Sequence, residues 1–213
     1  MSMRTILLVD TCGPMGGVGL AQLGGPAPRM LAQRTVQGRE TQEQLMLALD
    51  ELFVETSLTP AQLAAIAVVS GPGSFTGVRI GLAAVKGMAE AMDVPVLAVS
   101  RLALLAAQLP SASQAWIDAG RGDVFVRVTG VSEAMMHLST AVAALQPADV
   151  VVVMEAALAD AVAQAVLVDA VGIGAMLPLV AQASSHDFAD AALLDANYLR
   201  VPDAQLALEA AAQ

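Results

Sequence analysis

The stretch that most constrains the fold is residues 70–81, SGPGSFTGVRIG, which places four glycines between two apolar segments. The preceding residues 64–69 form an apolar run typical of a buried strand, and residues 82–89 have the pattern of a helix. The sequence therefore predicts a strand, a glycine loop and a helix start. Glycines permit positive φ and close backbone approach, while Ser74 or Thr76 can cap N–H groups at the helix start, which also suits an anion.

The glycine spacing does not match the known phosphate-binding loops. A P-loop requires Gly-Lys-Ser/Thr four residues after its first glycine, but here no lysine precedes Lys86. The dinucleotide fingerprint fits poorly, because Gly77 comes one position too late and the acidic residues Glu90 and Asp93 precede the next strand instead of ending it. A tight structural turn and an anion site both remain open on spacing alone.

Composition limits the remaining classes of protein. A chain of 213 residues makes one large domain or two small lobes, and 56% hydrophobic with 3% aromatic residues predicts an aliphatic core. The long uncharged stretches 56–78 and 170–186 are interrupted by Gly, Pro and polar residues, so no membrane-spanning helix is expected. The apolar run 6–9 is too short for a signal peptide, and we expect a cytoplasmic protein.

The reactive and charged residues also argue against several functions. Cys12 is the single cysteine, and His137 and His186 belong to no recognisable motif. A structural thiol is therefore favoured over a nucleophile. The two histidines give no support to a histidine-anchored metal site. The net charge is −10 and the ten basic residues are scattered. Direct RNA binding by this chain alone is therefore not expected, since phosphate contacts need clustered Lys and Arg.

The order of predicted elements indicates an α/β protein with a mixed sheet. The first part reads as strands at 5–9, 18–23 and 30–36 with a glycine turn at 13–17, a helix at 41–54, the strand and helix of the motif, a strand at 95–99 and a helix from Ser100 to 109. A polar break at 110–113 predicts two lobes, 1–109 and 110–213. The second lobe reads as a hairpin of 115–118 with 124–128, a strand at 150–154, a helix at 155–164, a strand at 166–171, and a mainly helical remainder. Its last helix, 205–212, packs back on the first lobe or frays.

Two features of the motif helix need an explanation. A cation in the first helical turn, Arg79, opposes the macrodipole by up to about 1 kcal/mol, which predicts an intramolecular carboxylate partner or a bound anion. Gly77 and Gly81 lie four residues apart, and Ala84 and Met88 continue that side of the helix. Interior helix glycines cost about 1 kcal/mol each relative to Ala, so close packing is expected there, inside the chain or across an interface.

The motif GPGSFTGVRIG at 71–81 resembles the corresponding motif of the TsaB (YeaZ) family, bacterial relatives of the Gcp/TsaD proteins. Further landmarks occur in the family's order at 6–11, 117–119, 122–125, 171–175 and 198–200. The resemblance implies the actin-like ATPase fold, which is ribonuclease H-like, with two lobes and a reduced second lobe. Two positions depart from the family pattern: Thr41 stands where a histidine is usual, and Gly120 where an arginine is usual.

The resemblance also implies an interface rather than an active site. Family members pair through the motif helix and the preceding helix, with themselves and with TsaD. The expected interface residues are Leu45, Leu49, Gly77, Arg79, Ile80, Gly81, Ala84 and Met88. Five residues correspond to remnants of a nucleotide site: Asp10, Gly73, Asp118, Gly172 and Gly174. No catalytic residue, metal or cofactor is expected.

The function implied is that of a non-catalytic partner and activator of TsaD in making N6-threonylcarbamoyladenosine next to the tRNA anticodon. TsaE would join the pair, and the chain alone would form a homodimer without binding tRNA. The alternative is an enzyme of the same fold, either a small-molecule kinase or ATPase or a Gcp-like metallopeptidase. An enzyme predicts Mg-ATP binding between the lobes by the isolated chain, whereas a scaffold subunit does not.

Overall fold

The structure is a computed structural model that describes residues 3–37 and 41–199. Its first half contains β1 (Arg4–Asp10), β2 (Met15–Leu23), β3 (Arg29–Gln37), α1 (Thr41–Thr56), β4 (Leu63–Gly71), α2 (Phe75–Met92), β5 (Val96–Ser100) and α3 (Arg101–Gln108). Its second half contains β6 (Gln114–Gly120), β7 (Asp123–Val128), β8 (Glu133–His137), α4 (Leu138–Ala143), β9 (Val151–Val153), α5 (Ala156–Ala161), β10 (Ala165–Leu167) and α6 (Met176–Gln182).

The first sheet has the strand order β3-β2-β1-β4-β5. β1 to β3 form an antiparallel meander, and β4 and β5 are added parallel to β1. β1 and β4 lie at the centre and are almost wholly buried, which explains why their sequences are apolar runs rather than alternating patterns. Asp10 ends β1 at one edge of this sheet.

The second sheet repeats this arrangement. Its order is β10-β9-β6-β7-β8, with β6 to β8 antiparallel and β9 and β10 parallel to β6. β6 therefore corresponds to β1, and Asp118 near its end corresponds to Asp10. The two halves of the chain thus have the same strand order, and the mixed α/β class is confirmed.

The hydrophobic core forms two clusters of side chains. The larger cluster joins both sheets, because Ala115, Ile117 and Val152 of the second sheet pack with the central strands of the first. The smaller cluster, which contains Trp116 and Leu158, lies within the second sheet and its helices. No described helix has both the length and the apolar character needed to cross a membrane.

Several predicted elements differ from the structure. β2 begins at Met15, so Gly16 and Gly17 lie in a strand and not in a turn. β8 and α4 were not predicted, the helix expected at 155–164 is α5, and the strand expected at 166–171 is β10. The described segment after β10 contains the helix α6 and three short 3-10 turns, joined by chain without regular secondary structure, so it is less helical than expected. The lobe boundary at 109/110 stays a prediction, and the helix expected at 205–212 lies outside the described residues.

Candidate functional site

The glycine motif joins β4 to α2 and is anchored on the turn that links β1 to β2. The Ser74 amide donates a 2.8 Å hydrogen bond to the Cys12 carbonyl. The Ser74 hydroxyl accepts the Gly77 amide at 3.3 Å, which makes Ser74 the N-cap of α2, as its position predicted. Gly71 has φ +114°, a conformation that favours glycine.

The motif glycines face the interior of the chain. A Cβ at Gly73 would overlap the Cys12 carbonyl oxygen, one at Gly77 the Thr11 carbonyl oxygen, and one at Gly81 the Thr11 hydroxyl. The Thr11 hydroxyl also donates a 2.7 Å hydrogen bond to the Gly77 carbonyl. The close packing predicted from the glycine spacing is therefore internal. Gly77 and Gly81 are buried in their own chain, which corrects their assignment to a partner interface.

The other expected interface residues divide between core and surface. Leu45 and Leu49 of α1 are 1% and 3% exposed and belong to the larger core cluster, because helical spacing selects the buried stripe of α1. Ile80, Ala84 and Met88 are half-buried against the same cluster. Arg79 is exposed.

A groove of about 580 Å³ lies along the neighbouring surfaces of α1 and α2. It is lined by Leu45, Met46, Phe75, Thr76, Arg79, Ile80, Ala83 and Ala84. Four of these lining residues were not among the expected interface residues: Met46, Phe75, Thr76 and Ala83. The signal available for Met46 was a large apolar residue placed off the buried stripe of an amphipathic helix.

The two helices that line this groove also expose large apolar side chains. Leu47, on the next position of α1, is 61% exposed, and Phe75 is 54% exposed. Gly87 of α2 is exposed, and a Cβ there would meet no atom within 4 Å. Gly87 is thus open to solvent, whereas Gly77 and Gly81 pack against Thr11.

Arg79 is held at one end of the groove by aromatic side chains. Its Nε donates a 2.9 Å hydrogen bond to the Tyr198 hydroxyl. Its guanidinium carbon lies 3.7 Å from the centre of the Phe75 ring, and the Phe75 and Tyr198 rings are 5.5 Å apart. Within residues 3–37 and 41–199, the partner of Arg79 is this aromatic pair instead of the carboxylate that we expected.

The strand-end aspartates Asp10 and Asp118 occupy corresponding positions near the ends of β1 and β6. Asp10 is 3% exposed and its carboxylate accepts the Cys12 amide at 2.8 Å. Burial raises the pKa of Asp10, and the nearby Arg101 charge partly counteracts this rise. Asp118 is exposed, and its carboxylate accepts the Gly120 amide at 2.8 Å within its own turn.

Arg101, the first residue of α3, supplies a positive charge near Asp10 and Glu155. Its guanidinium lies against Gly13, so that a Cβ at Gly13 would overlap it, and it donates to the Met154 sulfur at 3.8 Å. Burial raises the pKa of Glu155, and Arg101 also counteracts this rise. Sequence reasoning missed Arg101, because nothing in its local pattern distinguishes it from a surface arginine.

The expected nucleotide-site residues Gly172 and Gly174 lie at a short 3-10 turn, whose Ile173 lies close to Gly17, the strand partner of Asp10. Gly172 precedes the 3-10 turn Ile173–Ala175, and Gly174 lies beside the Gln33 side chain of β3. Among the residues that the structure describes, no group of three or more His, Cys, Asp or Glu side chains is placed to hold a metal ion.

Comparisons with known proteins give a family match and two similar relatives over part of the chain. Residues 22–152 match the family model described as TsaD, tRNA N6-adenosine threonylcarbamoyltransferase. The chain is 33% identical over 124 residues to the tRNA threonylcarbamoyladenosine biosynthesis protein TsaB of Bacillus subtilis, covering 57% of this chain and 53% of that protein. It is 36% identical over 107 residues to the TsaB protein of Haemophilus influenzae, covering 50% of this chain and 43% of that protein. The chain thus spans about half the length of these curated relatives.

The similarity to solved structures extends over nearly the whole chain. YeaZ from Pseudomonas aeruginosa superposes with a TM-score of 0.76 at 25% identity, covering 92% of this chain and 100% of that one. This likeness confirms the actin-like ATPase fold class.

Proposed function

Because the chain belongs to the TsaB (YeaZ) family within the TsaD-like superfamily, we propose that it is a non-catalytic partner and activator of a TsaD-type transferase. The pair would take part in making N6-threonylcarbamoyladenosine in tRNA, next to the anticodon. The observation that carries the proposal is the apolar groove between α1 and α2.

The groove has the properties of a protein-docking surface. Met46, Leu47 and Phe75 are each more than half exposed on α1 and α2, and α2 also exposes the small residues Ala83 and Gly87. Exposed apolar patches of this kind mark interaction sites, and small residues on a helix let a second helix approach closely. We call the surface formed by these five residues the α1–α2 face.

The strand-end aspartates support a non-catalytic role. Metal-dependent phosphate chemistry needs carboxylates that bind a cation in their charged form. The Asp10 and Asp118 carboxylates each accept one backbone amide of their own turn, and burial raises the pKa of Asp10, which disfavours its charged form. The kinase, ATPase and metallopeptidase alternative is therefore not favoured.

The charge of the chain is consistent with leaving RNA to the partner. A net charge of −10 disfavours the binding of phosphates. In this proposal the transferase contacts tRNA and performs the transfer, TsaE joins the pair, and the isolated chain pairs with itself through the α1–α2 face.

The proposal is tested by changing the α1–α2 face without touching the core. Ala83→Glu places a charge in the groove, and Gly87→Leu fills the open position on α2. Both variants should stay folded and bind the purified TsaD-type transferase from the same organism at least about tenfold more weakly than wild type, a loss of about 1.4 kcal/mol. Titration calorimetry measures the affinity.

Ala157→Glu is the matched control for the charge, because Ala157 is exposed on α5 in the second half of the chain. It should bind as wild type does. Unchanged affinity of both face variants would contradict the docking surface, and wild-type protein that does not bind the transferase would contradict the proposed function itself.

A further inference from the structure

We propose that Arg79 is a preorganised cation that receives a carboxylate of the protein docked on the α1–α2 face. The inference rests on the proposed function and specifies the chemistry of the partner. The occupant of the groove is a polypeptide segment that presents an apolar side chain together with an Asp or Glu. The carboxylate pairs with Arg79 while the apolar part covers Met46 and Phe75.

The side chain of Arg79 is already ordered. Phe75 stacks on its guanidinium at 3.7 Å and the Tyr198 hydroxyl accepts its Nε at 2.9 Å. Tyr198 is itself fixed by its neighbour, since the Asn197 amide donates to the Ser70 carbonyl at 2.8 Å and the Asn197 side chain donates to Glu133 at 2.7 Å. An arginine held in this way loses little further conformational freedom when it pairs with a ligand.

The contacts that hold Arg79 leave its terminal nitrogens for a partner. Among the described residues, the hydrogen bond of Arg79 uses Nε, and stacking on Phe75 uses the face of the guanidinium. The two Nη groups present parallel N–H donors, a geometry that matches both oxygens of a carboxylate.

The surroundings favour a carboxylate carried by a protein over a phosphate of RNA. Among the described residues that line the groove, Arg79 is the one that carries a charge, and the others are apolar apart from Thr76. A docked apolar segment would exclude water, which strengthens a charge pair at this place. Binding of a nucleic acid would need several neighbouring cations. The exposed α1 residues Asp50, Glu51 and Glu55 are instead acidic and would repel phosphates.

The test compares Arg79→Met, Arg79→Glu and Arg79→Lys for binding to the transferase at low and high salt. Arg79→Met should weaken binding about tenfold or more, and Arg79→Glu further, because a partner carboxylate is then left unpaired or faces a like charge. Arg79→Lys should recover only part of the affinity, because an ammonium lacks the fork and the flat face. The salt dependence of binding should be smaller for Arg79→Met than for wild type.

Arg29→Glu is the matched charge control, since Arg29 is exposed, bonds Gln22 and lies outside the groove. It should bind within about twofold of wild type. An Asp→Arg or Glu→Arg scan of the transferase should then find one position that restores the affinity of Arg79→Glu. Such rescue requires a direct charge pair, which a merely structural role of Arg79 would not give.

The ways in which the inference can fail are distinguishable. If wild type does not bind the transferase, both the proposed function and this inference fail. If wild type binds and Arg79→Glu binds equally well, only this inference fails. Loss of self-association with unchanged transferase binding would identify a second copy of the chain as the occupant. Retardation of tRNA by the isolated chain that is lost in Arg79→Glu would identify a phosphate. Either result would overturn the inference.

Discussion

Gly77 lies where the first turn of α2 crosses the turn between β1 and β2, and a side chain there would overlap the Thr11 carbonyl oxygen. Gly87 lies ten residues further along the same helix, where a Cβ would have no atom within 4 Å. The two glycines therefore have opposite surroundings. Gly77 contacts the Thr11 backbone, whereas Gly87 faces an open surface.

We predict opposite effects of alanine at these two positions. Gly77→Ala should lower the free energy of unfolding by about 3 kcal/mol, because the Thr11 backbone has to move. Gly87→Ala should raise it by about 0.5–1 kcal/mol, since alanine is the better helix former. Urea denaturation of both variants measures the two changes, and equal effects would contradict the packing described here.

Asp10 makes stability depend on pH in an unusual direction. Its pKa is raised by burial in the folded chain, so the folded chain holds this proton more tightly than the unfolded chain does. Its contribution to stability is fully present below the unfolded pKa, about 4, and is lost as pH rises through the raised folded pKa.

Asp10→Asn should remove this dependence while keeping an oxygen to accept the Cys12 amide. We expect the variant to gain stability relative to wild type as pH rises from about 4 towards the raised folded pKa, by up to about 1.4 kcal/mol for each unit by which the folded pKa is raised. Urea denaturation at several pH values gives the difference. A constant difference across that range would show that Asp10 is not desolvated as described.

At the scale of elements, β8 connects three parts of the chain through Glu133. The Glu133 carboxylate accepts Ser100 at 2.6 Å, Arg127 at 2.8 Å and Asn197 at 2.7 Å. Ser100 is the N-cap of α3, Arg127 lies on β7, and Asn197 belongs to the segment that carries Tyr198. The side chain of Glu133 is only 10% exposed, so its charge-assisted bonds are partly shielded from water.

Glu133→Ala should lower the free energy of unfolding by about 2–4 kcal/mol, because three donors lose one shielded acceptor. The control is Glu51→Ala, which removes an exposed ion pair with Arg34 and should cost no more than about 1 kcal/mol. Thermal or urea denaturation compares them. Similar losses in the two variants would contradict the importance of the Glu133 contacts.

Elements were predictable where local pattern and burial agree. β1 and β4 are buried on both faces, so their apolar runs identify them, and Ser74 and Ser100 mark helix starts by their capping chemistry. β8 has no alternating pattern, and its pairing with β7 defines it. Glycine spacing predicted close packing on α2 but not its location, because long-range contact with Thr11 decides which glycines are internal.

At the scale of the whole molecule, two sheets of the same strand order share one core cluster. Side chains from β6, β7 and β9 pack into the cluster built around β1 and β4. The second sheet therefore depends on the first for much of its buried surface, even though the sequence suggests a lobe boundary between them.

Trp116, the single tryptophan, is fully buried in the second sheet and can report on that sheet alone. We predict that its fluorescence and the far-ultraviolet circular dichroism of the whole chain change at the same urea concentration, as expected for one cooperative unit. Two separated transitions would show that the lobes unfold independently.

The thiol of Cys12 allows the opening of the central strands to be timed. Cys12 is 1% exposed and its Sγ donates to the Val69 carbonyl at 3.1 Å, next to the glycine motif. Burial also raises its pKa, so that both access and ionisation protect it from alkylation in the closed state. No other cysteine reacts with the alkylating reagent. Each alkylated molecule has therefore undergone a local opening in which the β1–β2 turn separated from β4 and α2.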